Sequence, residues 1–367
     1  SVEQELLSYV EEHYDKVIVV LNTAMVMETG FLDDEAIDAA LWIGMPGSRG
    51  CGSLGNILAG EVNPSGHLAD IYAYEDCATA AFYGKEKDAI YREGIYVGYR
   101  YYETAAADGY IDYDTTVQFP FGYGLSYTNF DWEVEKTELG DIGGTINIDV
   151  KVTNTGSTYS GKEIVQVYYS APDGIMEKPT QELAGFAKTK LLAPGEKDVV
   201  TITFATTDMA SFDAYDAAWV MEEGEYTIRV GNSSRNTEAV AVIDLDEQVT
   251  TLQLKRLMRD TIAVRELHHM IPIFDIEFDF GVPAIPFRIM LQAENFKKEL
   301  VEYEVMRRTL MDKRKDEVLT LEDVKAGNAT LDELTAQLTV EEMAELCVGT
   351  ERRNGDGNVI GSASSCV

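Results

Sequence analysis

The feature that most constrains the fold is an alternation of apolar and polar residues in the middle of the chain. Four segments show it, each bounded by Gly, Pro, Asn or Asp: TINIDVKVTNTG, EIVQVYYSAP, KDVVTITF and EYTIRVGNSS. Because successive side chains of a strand point to opposite faces, this period of two predicts strands with one buried face. Short strands at this spacing, without helices between them, are typical of an antiparallel β-sandwich. The sequence therefore predicts an all-β domain over residues 129–245.

The residues before this domain have a different pattern. Apolar residues recur at helical spacing over residues 2–10, and the run KVIVVLN is typical of a fully buried strand in a parallel sheet. Residues 33–47 are interpreted as an acidic helical start followed by an apolar stretch. The stretch GSLGNILAG is predicted to be a helix behind a glycine-rich turn. A helix followed by a buried strand indicates an α/β layer.

Three further regions complete the pattern. We interpret residues 71–128 as loops and short strands. Helical composition returns after Asp246, beginning with TLQLKRLMRD. Near the end of the chain, two capping boxes predict the starts of successive helices: Thr330 with Glu333, and Thr339 with Glu342.

The charge of the chain excludes two classes of partner. Asp and Glu number 64 against 30 Lys and Arg, which gives a net charge of -34. A nucleic-acid backbone or an anionic membrane surface would be repelled by such a chain. No apolar run reaches the roughly 18 residues that a membrane span needs. A neutral ligand remains compatible with this composition.

The cysteines and histidines indicate neither a disulfide framework nor a metal site. The four cysteines share no CxxC spacing, and we interpret them as free thiols of a reducing compartment: Cys51, Cys77, Cys347 and Cys366. We therefore expect a cytoplasmic protein, or alternatively a secreted one whose signal has been removed. Adjacent His268 and His269 point in different directions, and His13 and His67 have no obvious metal-binding partners. The sequence predicts no metal and no cofactor.

Three long motifs lie within the first 130 residues. They combine glycines, aromatic residues and an NPSG turn: WIGMPGSRGCGSLGNILAGEVNPSGHL, YREGIYVGYRYYE and FPFGYGLSYTNF. All three resemble stretches of glycoside hydrolase family 3, and they follow one another in that family's order. The β-rich segment is similar to the fibronectin type III domain that many of these enzymes carry. The tail, which includes LTLEDVKAGNATLDELTAQLTVEEMAELCVGT, is similar to the beginning of the family's (β/α)8 barrel.

This resemblance implies a multidomain α/β plus all-β fold in which the barrel comes last. That reversed order occurs among β-glucosidases of anaerobic gut and rumen bacteria. The expected parts are a partial α/β sandwich over 1–128, a fibronectin type III-like domain over 129–245, a linker and helical segment over 246–318, and the start of the barrel over 319–367. The stretch FPFGYGLSY, with four aromatics and two glycines, is expected to form the seam between the first two parts.

The resemblance also implies a function. Members of the family are expected to be retaining hydrolases that use a nucleophilic carboxylate and an acid/base carboxylate about 5 Å apart. Both are expected outside this chain, the glutamate before Ser1 and the aspartate after Val367, so the chain holds no catalytic residue of its own. The implied substrates are cello-oligosaccharides or β-glucosides, and the implied partner is the remaining part of the same enzyme, including the barrel. A homodimer is compatible with the resemblance.

Among the acidic residues present, Glu93 is the candidate for a carboxylate near the mouth of the sugar site. The alternative is a purely structural role, which applies equally to Glu28. Four tyrosines around it could stack on a sugar or fill the core and interfaces: Tyr91, Tyr96, Tyr99 and Tyr101. Two other functions stay open, a β-xylosidase or related β-glycosidase, and a non-catalytic fibronectin-like binding or assembly module.

Overall fold

The computed structural model of the chain describes residues 2–76, 92–140, 144–256, 268, 287–301, 318–339 and 343. The chain divides into two compact units, Ser1–Val301 and Glu302–Val367. Among the described residues, no helix is both long enough and apolar enough to cross a membrane. Cys51 is an exposed free thiol, and the other three cysteines lie outside the described residues.

Six α-helices occur in the described part of the chain. They are α1 (Val2–His13), α2 (Gly47–Leu58), α3 (Tyr99–Ala107), α4 (Tyr113–Thr116), α5 (Leu321–Lys325) and α6 (Leu331–Ala336). Thr330 and Glu333 form the predicted capping box at the start of α6. Thr320 and Asp323 form a further one at the start of α5, which the sequence analysis missed. The box predicted at Thr339 involves Glu342, which lies outside the described residues.

The described strands form five sheets. The strands are β1 (Ile18–Leu21), β2 (Ala39–Trp42), β3 (Tyr72–Ala73), β4 (Val117–Phe119), β5 (Phe130–Leu139), β6 (Thr145–Asn154), β7 (Ile164–Ser170), β8 (Glu182–Lys188), β9 (Lys197–Ala205), β10 (Ser211–Asp213), β11 (Ala218–Met221), β12 (Gly224–Gly231), β13 (Thr237–Leu245), β14 (Val249–Gln253), β15 (Phe287–Leu291) and β16 (Glu299–Leu300). The sheets have the strand orders β1-β2, β3-β4, β5-β6-β9, β15-β13-β12-β7-β8 and β10-β11-β14-β16.

The β-sandwich predicted in the middle of the chain is confirmed, and its core follows the period of two. Along β6, four inward-facing side chains have no exposed surface: Ile146, Ile148, Val150 and Val152. They belong to one core cluster with Tyr226 and Ile228 of β12, which are also fully buried. Burial of each such aliphatic side chain stabilises the fold by about 1.5–3 kcal/mol. This cluster is the larger of the two apolar cores in the described residues.

The first α/β elements are formed, but they are less buried than the sequence predicts. Strand β1 pairs in parallel with β2, from Ile18 opposite Ala39 to Leu21 opposite Trp42. Full burial of β1 was predicted wrongly, since Ile18 is 50% exposed and the rest of the strand is only partly buried. The reason is that the described sheet has two strands, so its faces are largely uncovered.

The acidic helical start predicted within residues 33–47 is also wrong. The chain turns there, because Asp34 accepts a hydrogen bond from the backbone N–H of Ala36 at 2.9 Å and Asp38 accepts one from Val17 at 2.8 Å. Aspartate side chains that bond nearby backbone groups compete with helix formation. The apolar stretch that follows is β2. The helix predicted at GSLGNILAG is confirmed as part of α2, which already begins at Gly47.

Two other segments differ from the prediction. The motif YREGIYVGYRYYE leads into helix α3 rather than into loops and short strands alone. The stretch after Asp246 begins with β14 instead of a helix, because Val249–Gln253 pairs with β11 on one side and β16 on the other. Its β-branched residues suit a strand, and strand pairing overrides the helical composition of the neighbouring residues. Strand β15 likewise joins the five-stranded sheet, beside β13.

The stretch FPFGYGLSY packs between the α/β elements and the sandwich, as the sequence predicts for a seam. Phe119 of β4 pairs with Tyr72 of β3, and the ring of Phe121 stacks on Tyr99 of α3 at 4.6 Å between centroids. At the other end, the Tyr127 hydroxyl donates to the carbonyl of Ile57 in α2 at 3.0 Å. The aromatics thus connect three separate elements through rings and hydroxyls.

A polar contact completes this junction at Asn63, in the NPSG turn. Its side-chain amide donates to the carbonyl of Ser160 at 3.0 Å and its carbonyl accepts from the N–H of Tyr127 at 2.9 Å. The Asn63 side chain also lies within hydrogen-bond distance of the Ser126 hydroxyl. The Asn63 side chain therefore connects the turn after α2 to the seam and to the loop between β6 and β7 of the sandwich.

Gly122 is a position in the seam that requires glycine. Its φ is +79°, and a β-carbon there would overlap with the side-chain amide of Gln166. That amide is 4% exposed and donates to the carbonyls of Gly122 at 3.2 Å and Asn232 at 2.7 Å. Its oxygen accepts from the Tyr168 hydroxyl at 2.5 Å. A residue larger than glycine at position 122 would therefore displace the Gln166 amide, whose hydrogen bonds are all made.

We predict that Gly122→Ala destabilises the chain more than the matched variant Gly195→Ala. Gly195 has the same φ of +79° but open space around the position of a β-carbon, so it reports the backbone strain alone, about 1–2 kcal/mol. Gly122→Ala should add about 1–3 kcal/mol for hydrogen bonds of Gln166 that are broken in a buried site. Urea denaturation of both variants measures the difference. Equal losses would show that the Gln166 contact does not contribute.

Candidate functional site

Glu93 lies in a short turn that leads into α3. It is partly buried, and its backbone carbonyl accepts a hydrogen bond from the N–H of Tyr96 at 2.9 Å. Gly94 and Gly98 have φ values of +58° and +61°, which a residue with a β-carbon adopts at a cost. The two glycines therefore bend the chain on either side of Tyr96. We name residues 92–98 the Glu93 turn.

The tyrosines next to Glu93 are anchored in the protein. Tyr96 is 3% exposed, and its hydroxyl donates to Glu177 at 3.0 Å. The Tyr99 hydroxyl accepts from the N–H of Leu183 at 2.8 Å, and burial raises the pKa of this phenol. Tyr101 is partly buried and packs edge-on against Tyr102 at 5.1 Å. These three side chains fill the core and the junction, and Tyr91 lies outside the described residues.

Helix α3 is attached to the sandwich along its length. The Arg100 guanidinium pairs with Glu182 of β8 at 2.9 Å. The hydroxyl of Thr104 accepts from the N–H of Thr180 at 3.0 Å. Because Tyr96 and Tyr99 bond residues 177 and 183 of the same region, four successive contacts join residues 96–104 to residues 177–183. The position of the Glu93 turn therefore depends on the sandwich and not only on its own domain.

Glu103 is the single carboxylate of α3, and 5% of its surface is exposed. One oxygen accepts from the Ser234 hydroxyl at 2.8 Å, and the other lies 3.3 Å from the Arg235 guanidinium. Both partners belong to the loop between β12 and β13. The same guanidinium lies over the ring of Tyr113 at 4.1 Å, a cation–π contact. We name these four residues the Glu103 cluster.

Two opposing effects act on the Glu103 carboxyl. Burial removes water from it and raises its pKa, while the hydrogen bond from Ser234 and the charge of Arg235 lower the pKa, and burial is the larger effect. Burial also raises the pKa of the Tyr113 phenol, with the nearby Glu103 charge as the second cause. The contacts within the Glu103 cluster hold the Glu103 carboxyl and the Tyr113 phenol in place, as is typical of a structural network.

The sequence analysis missed Glu103, although a signal for it exists. A single carboxylate within the aromatic run YRYYETAAA has to be buried or to interrupt the apolar side of the helix. Its partners could not have been named, because Ser234 and Arg235 are 131 and 132 positions away. Glu28, the other acidic candidate, has a structural contact, since it accepts from the N–H of Asp76 at 3.0 Å. Among the described residues, no group of three or more His, Cys, Asp or Glu could hold a metal ion.

The raised pKa of Glu103 predicts a pH dependence of stability. Between its ordinary value of 4.5 and the raised folded value, the folded chain holds more protons than the unfolded chain. The free energy of unfolding that this group contributes therefore decreases as the pH rises through that window. We expect wild type to lose stability relative to Glu103→Gln as the pH rises above the ordinary value of 4.5, measured by urea denaturation.

Glu133→Gln is the matched control for this experiment. Its surface carboxylate is bonded to Lys151, which lowers its pKa, so its contribution is lost only as the pH falls below its ordinary value of 4.5. Its difference from wild type should stay nearly constant over the same pH range. If Glu103→Gln behaved in the same way, burial would not be the dominant effect on Glu103.

Two family models match this chain. The glycosyl hydrolase family 3 C-terminal domain matches residues 1–99, which include the Glu93 turn and the NPSG turn. The fibronectin type III-like domain matches residues 163–234, which lie within the sandwich and end at Ser234 of the Glu103 cluster. The multidomain α/β plus all-β fold predicted from the sequence is confirmed by these matches.

Curated relatives extend over almost the whole chain. Beta-glucosidase A of Butyrivibrio fibrisolvens is 33% identical over 98% of this chain and 46% of its own length. A beta-glucosidase of Ruminococcus albus is 33% identical over 92% of this chain and 34% of its own length. The chain thus spans less than half the length of these relatives.

Solved structures that resemble this chain are also β-glucosidases, and the chain again covers less than half of each. A beta-glucosidase from Paenibacillus barengoltzii has a TM-score of 0.67 and 33% identity over 94% of this chain and 37% of its own. The beta-glucosidase of Kluyveromyces marxianus in complex with glucose has a TM-score of 0.62 and 32% identity, over 68% of this chain and 29% of its own. The chain therefore carries a glycosyl hydrolase family 3 C-terminal domain followed by a fibronectin type III-like domain, and it is partial relative to the β-glucosidases it resembles.

Proposed function

We propose that this chain is part of a retaining β-glucosidase that removes terminal glucosyl residues from cello-oligosaccharides or aryl β-glucosides. The observation that carries the proposal is the family 3 domain over residues 1–99 together with relatives named beta-glucosidases that align with 92–98% of the chain. The structure of one relative in complex with glucose supports glucose as the sugar.

The chemistry is proposed to require residues outside this chain. Retaining hydrolysis uses one carboxylate as nucleophile and a second as acid and then base, about 5 Å from the first. Glu28 and Glu103 are unsuited to either role, because their oxygens are bonded to Asp76 and to the Ser234–Arg235 loop, respectively. The proposed partner is the remainder of the same polypeptide, with a (β/α)8 barrel following residue 319.

Within this proposal, Glu93 borders the sugar site without taking part in bond cleavage. The support is its place in a turn that two positive-φ glycines shape and that Tyr96 anchors to Glu177. A rigid turn with a partly buried carboxylate can accept hydrogen bonds from sugar hydroxyls at a defined position. The sandwich then serves to hold this turn in place, which gives the fibronectin type III-like domain a positioning role.

The first experiment compares the complete polypeptide with residues 1–367 alone. The complete polypeptide should release p-nitrophenol from the aryl β-glucoside and produce β-glucose first, which NMR of the fresh product detects. Residues 1–367 should show only background hydrolysis, because neither catalytic carboxylate is expected in them. Comparable turnover by the isolated chain, or a preference for the β-xyloside, would contradict the proposal.

The second experiment tests Glu93 in the complete polypeptide. Glu93→Gln should raise KM roughly 10-fold, because one hydrogen bond from a sugar hydroxyl to a charged group is lost. The kcat should change little, because the residue binds the sugar equally in the ground state and the transition state. Glu28→Gln is the control and should leave both constants unchanged. A fall in kcat of many orders for Glu93→Gln would instead make Glu93 catalytic, and unchanged constants would make it structural.

A further inference from the structure

One hairpin of the sandwich displays three aromatic side chains to solvent. It comprises residues 211–221, with β10, β11 and the turn between them, and we name it the aromatic hairpin. Phe212 is 45% exposed, Tyr215 is 86% exposed and Trp219 is 39% exposed. Phe212 and Trp219 are cross-strand partners, with ring centroids 5.4 Å apart and planes inclined by 54°. Phe212 and Trp219 thus form one contiguous aromatic pair, and Tyr215 lies in the turn that joins their strands.

These aromatics are not needed for the core. The alternate residues of β11, Ala218 and Val220, point inward and are buried. Trp219 lies opposite Leu252 of β14, and Leu252 lies opposite Glu299 of β16. Cross-strand partners share a face of the sheet, so Phe212, Trp219 and Leu252 form one row on its outer side.

The outer side of another sheet in the same sandwich looks different. There the outward side chains of β6 and β9 are polar and bond one another, as in Thr201 to Asp149 at 2.6 Å and Thr203 to Asn147 at 2.7 Å. Outward strand positions of a sandwich are ordinarily polar in this way. The aromatic row is therefore a departure that costs solubility, and exposed apolar patches of this kind mark interaction sites.

The turn that carries Tyr215 is held rigidly. One oxygen of Asp213 accepts from the N–H groups of Tyr215 at 2.8 Å and Asp216 at 3.2 Å. From β14, the Gln253 amide donates to the carbonyl of Asp216 at 2.8 Å, and the N–H of Leu254 donates to the carbonyl of Ala217 at 2.9 Å. The exposed ring thus projects from an ordered turn, which lowers the entropy cost of binding.

The negative charge of the chain limits which kind of ligand can bind the aromatic hairpin. Acidic residues accompany the aromatics: Asp213 and Asp216 in the turn and Glu299 at the end of the row. Together with a net charge of -34, they repel anionic polymers, anionic membranes and a second copy of this chain. A neutral sugar chain fits both features, because the C–H faces of its rings pack on aromatic rings and its hydroxyls donate hydrogen bonds to carboxylates.

We propose that the aromatic hairpin binds a neutral glycan chain, with Phe212 and Trp219 as the stacking surface and the turn carboxylates as hydrogen-bond acceptors. The assignment of the sugar as β-linked glucose rests on the proposed function, whereas the stacking surface itself does not. Within the described part of the chain, the Asp216 side chain makes no hydrogen bond or ion pair, so its carboxylate is available to accept from a sugar hydroxyl.

The test is affinity electrophoresis of residues 1–367 in gels that contain soluble mixed-linkage β-glucan, with cellohexaose titration followed by tryptophan fluorescence. Wild type should be retarded by the glucan. Trp219→Ala should bind about tenfold more weakly, and Trp219→Phe should restore part of the affinity. The matched control is Phe186→Ala on β8, which removes a ring that is 67% exposed outside the aromatic hairpin and should bind as wild type does.

Each result decides the question. Absence of retardation for wild type with every glycan, or equal weakening by Phe186→Ala and Trp219→Ala, overturns the proposal. So does concentration-dependent self-association that Trp219→Ala abolishes, because the hairpin would then bind a second copy. Retardation by β-xylan or β-mannan but not by β-glucan, lost in Trp219→Ala, supports the stacking surface and contradicts the glucose assignment of the proposed function. Circular dichroism of each variant separates lost binding from lost folding.

Discussion

The apolar core between the sheets of the sandwich is the part of the structure on which the rest depends. Its inward side chains on β6 and β12 are fully excluded from water, and no comparable core exists among the described α/β elements. Helix α1 buries none of its residues, and the two-stranded sheet of β1 and β2 is largely uncovered. The second cluster is small, with five buried residues from β3, α3, α4 and neighbouring positions. Stability in the first unit therefore resides mainly in the sandwich.

Polar groups as well as aromatic rings join the α/β elements to the sandwich, and these contacts stabilise the α/β elements. Asn63, Gln166 and Glu103 each bond backbone or side chains from a distant part of the chain. Such groups are costly when one partner is missing, because a buried polar atom then loses both water and its hydrogen bond. The junction is consequently specific in geometry, and the fibronectin type III-like domain is a supporting element of the α/β part instead of an independent appendage.

These contacts give a physical reason for the proposed roles of the two domains, in which the α/β part carries the Glu93 turn and the sandwich holds that turn in place. A glycosidase needs its sugar-binding groups within small tolerances of the reacting atoms, and a turn on a thinly packed domain would not satisfy that need by itself. The Glu93 turn, which we propose borders the sugar site, is held by bonds from Tyr96, Tyr99 and α3 to residues 177–183. The aromatic hairpin belongs to the same sandwich, but its side chains are exposed, and we propose that they bind a ligand directly.

The sequence by itself determined the features that arise from neighbouring residues. These include the strands with a period of two, the cap at Thr330, helix α2 and the long motifs that mark the family. It failed where distant contacts decide the outcome: β14 is a strand because β11 and β16 pair with it, and Asp38 accepts a hydrogen bond from the backbone of Val17 instead of starting a helix. The Glu103 cluster and the Gln166 contact at Gly122 were decided only by the tertiary structure. The reason is that folding brings together groups more than a hundred positions apart for Glu103 and 44 apart for Gln166, and no local pattern records which buried polar atoms will meet.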